Sequence, residues 1–84
     1  MIPRTYAYQI LNGTKNPGRD KVIALCLAAR MNYEETQRAL TLAGQGKLYP
    51  RRKRDSVLIF AAEQKIGVQQ ANELLFTEGE EILA

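Results

Sequence analysis

The stretch Arg19-Asp20-Lys21-Val22-Ile23-Ala24-Leu25-Cys26-Leu27-Ala28-Ala29 decides the fold. From Val22 onward it is apolar without interruption, too continuous for a helix that turns one face to water. The run is also too long for a typical strand and shows no alternating pattern. It therefore reads as a central, mostly enclosed helix. A second such run, Val57-Leu58-Ile59-Phe60-Ala61-Ala62, lies 35 residues further on.

The same offset brings Arg19-Asp20-x-Val22 onto Arg54-Asp55-x-Val57, Leu40 onto Leu75, Gly44 onto Gly79 and Leu48 onto Leu83. Apolar character matches at Ile23 and Leu58, Leu25 and Phe60, Met31 and Ile66, Tyr33 and Val68. The pattern is that of a repeated helical hairpin, in which an apolar helix leads into a more amphipathic one. Chance similarity between two amphipathic helix pairs is the competing explanation.

Working outward, turn signals at Asn12-Gly13, Asn16-Pro17-Gly18, Asn32, Gly44-Gln45-Gly46, Tyr49-Pro50 and Gly67 cut the chain into helix-sized pieces. Helices are expected over 3–11, 19–30, 33–43, 52–65 and 68–76. Pro3 suits a first helical turn, where its missing N–H leaves no bond unmade. Asn32 with Glu35 has the spacing of a capping box. Stripes at Tyr33, Thr36, Ala39, Leu40 and Ala43, and at Val68, Ala71, Leu74 and Leu75, let the second helix of each hairpin cover a central one. The expected fold class is all-α, an orthogonal bundle of about five short helices in one domain over 1–84, with a basic loop and second hairpin over 47–84.

Composition narrows the chemistry. The chain has 84 residues, 45% hydrophobic and 25% charged, as in an ordinary globular domain. It contains no histidine and a single cysteine, Cys26, which removes internal disulfides, the common zinc spacings and the His-activated nucleophiles. Neither enzyme activity, metal nor cofactor is expected. Cys26, inside an apolar run, reads as a buried thiol with a raised pKa. With no long apolar span and no signal-peptide layout, a cytoplasmic location is expected and a membrane is not. Tyr6, Tyr8, Tyr33 and Tyr49 read as packing residues.

The net charge of +3 is unevenly placed: residues 1–21 carry +3, residues 47–55 carry +4, and residues from 56 onward carry −4. Arg51, Arg52, Lys53 and Arg54 lie beside a helix start, where cations oppose the macrodipole. An anion would relieve them: phosphate, an acidic partner, or Glu78, Glu80 and Glu81 of the same chain.

The first helix has an inner strip of Tyr6, Ala7, Ile10 and Leu11 and turns Arg4, Thr5, Tyr8, Gln9 and Asn12 outward. Arginine can grip guanine and glutamine adenine through paired hydrogen bonds, and threonine can meet a thymine methyl. Ile2, Arg4, Thr5, Ala7, Ile10, Asn12-Gly13, Lys15-Asn16-Pro17 and the helix from Arg19 resemble the recognition helix and following turn of the lambda-repressor-like, Cro-type helix-turn-helix regulators, the XRE family. The segment from Tyr33 to Gly44 is similar to the part that closes that family's five-helix domain. The resemblance covers about half the chain, placing the helix-turn-helix-like part over 1–46. It implies base contacts from Arg4, Thr5 and Gln9, phosphate contacts from Asn12, Gly13, Lys15 and Asn16, and help from Arg19. It also implies a bacterial or phage-type transcriptional regulator on double-stranded DNA, expected to pair as a dimer over half-sites. The family carries two helices before this point, so the chain reads as a fragment or a mis-assigned start; the second hairpin replacing those helices is the other possibility. A different class stays open: a helical interaction or oligomerisation module, meeting a second copy or another protein through uncovered apolar faces.

Overall fold

The computed structural model describes residues 3–6, 9 and 18–83. Residues 4–6 and 9 are helical, followed by α1 (Arg19–Ala28), α2 (Tyr33–Leu42), α3 (Lys53–Glu63) and α4 (Val68–Thr77). Among the described residues there is no strand, and no helix is long and apolar enough to cross a membrane. The chain is an all-α bundle.

α1 packs on α2, α3 and α4, and α3 on α2 and α4. The core is shared by the two hairpins: Val22, Ile23, Cys26 and Leu27 of α1 meet Ala39 and Leu40 of α2, Leu58, Ala61 and Ala62 of α3, and Ala71 and Leu75 of α4. Complete burial of one such leucine or isoleucine contributes about 1.5 to 3 kcal/mol. α1 is enclosed as expected, but α3 is less so. Asp55, Leu58, Ala61 and Ala62 form its buried stripe, whereas Phe60 stands on the opposite side of the helix and is 52% exposed. Tyr6 and Tyr49 are likewise about half exposed, so neither is the packing residue its type suggests.

The repeat is real, and it extends to single hydrogen bonds. Each helix ends in a Schellman motif, where a residue in the left-handed conformation lets two N–H groups return to the last turn. Arg30 N and Met31 N donate to Leu27 O and Cys26 O, and 35 residues on, Lys65 N and Ile66 N donate to Ala62 O and Ala61 O. Gly44 and Gly79 begin the same pattern after α2 and α4. Past each hairpin an amide side chain clamps a buried leucine: Gln37 bonds both N and O of Leu48, and Asn72 both N and O of Leu83. The expected capping box is formed by Asn32 and Glu35.

Two ion pairs join the hairpins, each taking its arginine from one and its aspartate from the other. Arg19 donates to both carboxylate oxygens of Asp55, at 3.2 and 2.9 Å, and to the carbonyls of Gly46 and Lys47. Arg54 donates to both oxygens of Asp20, at 3.0 and 2.9 Å, and to the carbonyls of Glu81 and Ile82. The 35-residue shift exchanges the two sets, which is the signature of an internal approximate two-fold axis.

The pairs differ in exposure. The Asp55 side chain is 4% exposed and that of Asp20 36%. Burial alone would raise the Asp55 pKa, but the Arg19 guanidinium and the Tyr49 N–H, 2.8 Å away, outweigh it and hold the carboxyl below its ordinary value. Hydrogen bonding to Asp20 raises the Arg54 pKa further, against the opposing effect of burial. Cys26, which the structure buries, has its thiol pushed up to about 11, chiefly by burial, with the Thr36 hydrogen bond working the other way.

Two stability measurements follow from this arrangement. Arg30 and Lys65 hold φ of 57° and 54°, a conformation that costs a side-chain-bearing residue about 1 kcal/mol. Lys65 is exposed, so Lys65→Gly should raise the melting temperature by a few degrees, a gain of about 0.5 to 1 kcal/mol after the added freedom of the unfolded chain is counted. In urea unfolding at neutral pH, Asp55→Asn should cost about 3 kcal/mol, and Asp20→Asn no more than about 1 kcal/mol because water already screens that pair. Since the folded-state pKa of Asp55 is depressed, its contribution is complete above the unfolded value and fades as pH falls toward the native one. The gap between wild type and Asp55→Asn should therefore close as pH falls below the ordinary carboxylate range.

Candidate nucleic-acid interface

Of the residues expected to read bases, Arg4, Thr5 and Gln9 are all exposed on the described part of the leading helix. Their surroundings differ. Arg4 Nε lies 2.8 Å from Glu35 Oε2, and its Nη2 donates to the carbonyl of Arg30 at 3.3 Å. Arg4 thus ties the leading segment to the start of α2, onto the same Glu35 whose other carboxylate oxygen accepts from the Asn32 N–H. Its guanidinium is held before any ligand arrives. Thr5 and Gln9 make no such bond among the described residues, and their polar ends face solvent. Asn12, Gly13, Lys15 and Asn16 lie outside the described residues.

The expected helper Arg19 makes four hydrogen bonds within the chain, two to Asp55 and two to carbonyls, which turn its guanidinium away from a phosphate. The same is true of Arg54. The anion that relieves the basic run is therefore not chiefly the acidic tail. It is Asp20 for Arg54, with Glu78 only approaching Lys53 at 3.9 Å. Asp55, three residues into α3, adds a carboxylate inside the first turn, where it complements the helix dipole. Among the described residues Lys21, Arg38, Lys47, Arg51, Arg52 and Lys65 are exposed to solvent and in no ion pair, and Lys21, Lys47, Arg51 and Arg52 belong to the two basic stretches.

Two of those cations share a depression. Lys47 and Arg52 line an open cleft of about 410 Å³ with Arg19, Gly46, Tyr49 and Asp55. The ion pair forms its floor, so the cations available to an anion there are Lys47 and Arg52. Arg51 and Arg52 were marked by the four-residue basic run. Lys47 and Tyr49 were not, because what brings them to the cleft is the Arg19 bond to the carbonyls of residues 46 and 47, a contact across 27 residues that local spacing does not encode. Exposed polar ends on a helical segment and a separate group of unpaired cations make a surface able to meet a polyanion; they supply no nucleophile, general base or metal cage. No protein-family model matches this chain, and neither does any curated protein or solved structure.

Proposed function

We propose that the domain belongs to a sequence-specific, DNA-binding transcriptional regulator of the lambda-repressor-like kind, with the helix that begins at Pro3 entering the major groove. The observation that carries this reading is the division of labour along that helix: Arg4 is anchored to Glu35, while Thr5 and Gln9 are exposed and make no hydrogen bond to another described residue. An anchored helix with free polar ends is what base readout requires, since phosphate and scaffold contacts set the register and base-edge contacts set the preference. Gln9 would pair with adenine N6 and N7, and Thr5 would meet a neighbouring thymine methyl or a hydrogen-bonding edge. Arg4 acts mainly by positioning the helix. Non-specific attraction falls to Lys21, Lys47, Arg51 and Arg52.

The competing reading, an interaction module that does not bind DNA, draws its support from Phe76, which is 79% exposed, and from Ile82. Fluorescence anisotropy of the chain with a labelled duplex pool, titrated with salt, separates the two. Binding should weaken steeply with salt, and Arg51→Ala with Arg52→Ala should weaken every sequence alike while lowering the salt slope by about 2. Gln9→Ala should instead erase about 1 to 3 kcal/mol of discrimination at one base position. Salt-independent binding, or a Gln9→Ala loss that is equal on all sequences, would remove the assignment.

A further inference from the structure

The 35-residue shift that relates the hairpins also carries one surface groove onto another, and the two are lined by opposite chemistry. Beside α2 the groove is formed by Tyr33, Glu34, Gln37, Arg38, Thr41 and Lys47. Beside α4 the matching positions are Val68, Gln69, Asn72, Glu73, Phe76 and Ile82. Threonine has become phenylalanine, lysine has become isoleucine, and the charge at the arginine position has reversed. The first hairpin serves as an internal control, because its backbone makes the same turns and the same amide clamp with polar residues in those places. The fold does not need an apolar side chain at 76 or 82. Yet Phe76 is 79% and Ile82 44% exposed, in a depression of about 790 Å³. Holding them in water opposes the hydrophobic effect, and no packing among the described residues accounts for it.

Charge indicates what covers the groove. No cation lines it and Glu73 does, while Glu78, Glu80 and Glu81 lie on the segment leading to Ile82 without lining the groove, Glu81 acting on Arg54. Lys53 reaches only Glu78, at 3.9 Å. A symmetric dimer through this face would bring Glu73 and these acids toward their own copies, so a second copy is a poor occupant. We propose that the groove beside α4 receives an amphipathic helix of a partner protein, its apolar side chains seated on Val68, Phe76 and Ile82 and its lysines or arginines flanking them against Glu73, in the negative field of the acidic segment that leads to Ile82. This is recognition by a helix in a groove. It is separate from the leading helix and does not depend on the DNA reading.

The test uses the whole chain and a labelled 18-residue helical peptide of leucine and lysine, compared with its leucine and glutamate counterpart. The lysine peptide should saturate, and the glutamate peptide should bind at least about tenfold more weakly. Phe76→Thr, which leaves charge unchanged and installs the first hairpin's own residue, should weaken the lysine peptide at least about tenfold with the circular-dichroism melt preserved. Glu73→Gln should weaken it less and reduce its salt dependence. Equal binding of both peptides, or a Phe76→Thr variant that binds like wild type, overturns the proposal. So does sedimentation showing self-association that Phe76→Thr abolishes, which would give the face to a second copy.

Discussion

The structure depends on a reciprocal exchange of two guanidinium groups. Each hairpin sends an arginine to the aspartate of the other, and each of those arginines also takes two carbonyls from the chain leaving a hairpin. One side chain therefore sets the relation between hairpins and fixes the exit of the second helix. That exit carries Leu48 or Leu83 to within reach of the Gln37 or Asn72 amide, which holds its backbone while the leucine fills the core. Core closure and ion pairing are thus mutually dependent, although neither pair is expected to stabilise more than a packed apolar substitute of the same shape would. Their contribution is to specify a single arrangement of two similar hairpins.

Much of this is legible in the chain, because hydrophobic run length and turn residues are local signals. The first apolar run, the Asn32 capping box and the 35-residue offset are borne out, the second run is enclosed along only one face, and the described helix starts lie within a residue of those expected. The ends are less well marked. Helices expected to reach Arg30 and Lys65 stop at Ala28 and Glu63, because both residues take up the left-handed turn usually given to glycine, and nothing in an arginine or lysine announces that. Arg19-Asp20 and Arg54-Asp55 were visible as a repeated dipeptide, but not as partners. Each residue is exposed or interior only after the two hairpins meet, and sequence spacing alone leaves Arg19 as suited to a phosphate as to a carboxylate. Lys47 and Phe76 have the same history: their surroundings are created by contacts across the bundle.

Divergence between the two halves separates what the fold requires from what it tolerates. Positions bound into the shared framework keep their roles: the arginine and aspartate, the amide, the plugging leucine, the glycine of the second Schellman turn. Several groove positions have changed class: Arg38, Thr41 and Lys47 in one half stand where Glu73, Phe76 and Ile82 stand in the other. Asn32 caps α2 through its side chain, while Gly67 at the matching place makes no such bond; Arg30 lies over that glycine, 2.7 Å from where a Cβ would stand. Even that loss of symmetry is local and has a neighbour that explains it.

The exchange of arginines also determines how the molecule can come apart. In a linear array of repeats, units melt in series, because each stands on its own stability plus one interface. Here neither half holds both members of an arginine–aspartate pair, and removing one strands an aspartate of the other beside a half-emptied core. With core and ion pairs shared between the hairpins, opening of either is expected to open both. Amides buried in α1 and α3 should consequently exchange with solvent through the same global event, and the boundary at residue 47 divides the chain by sequence without dividing it by cooperativity.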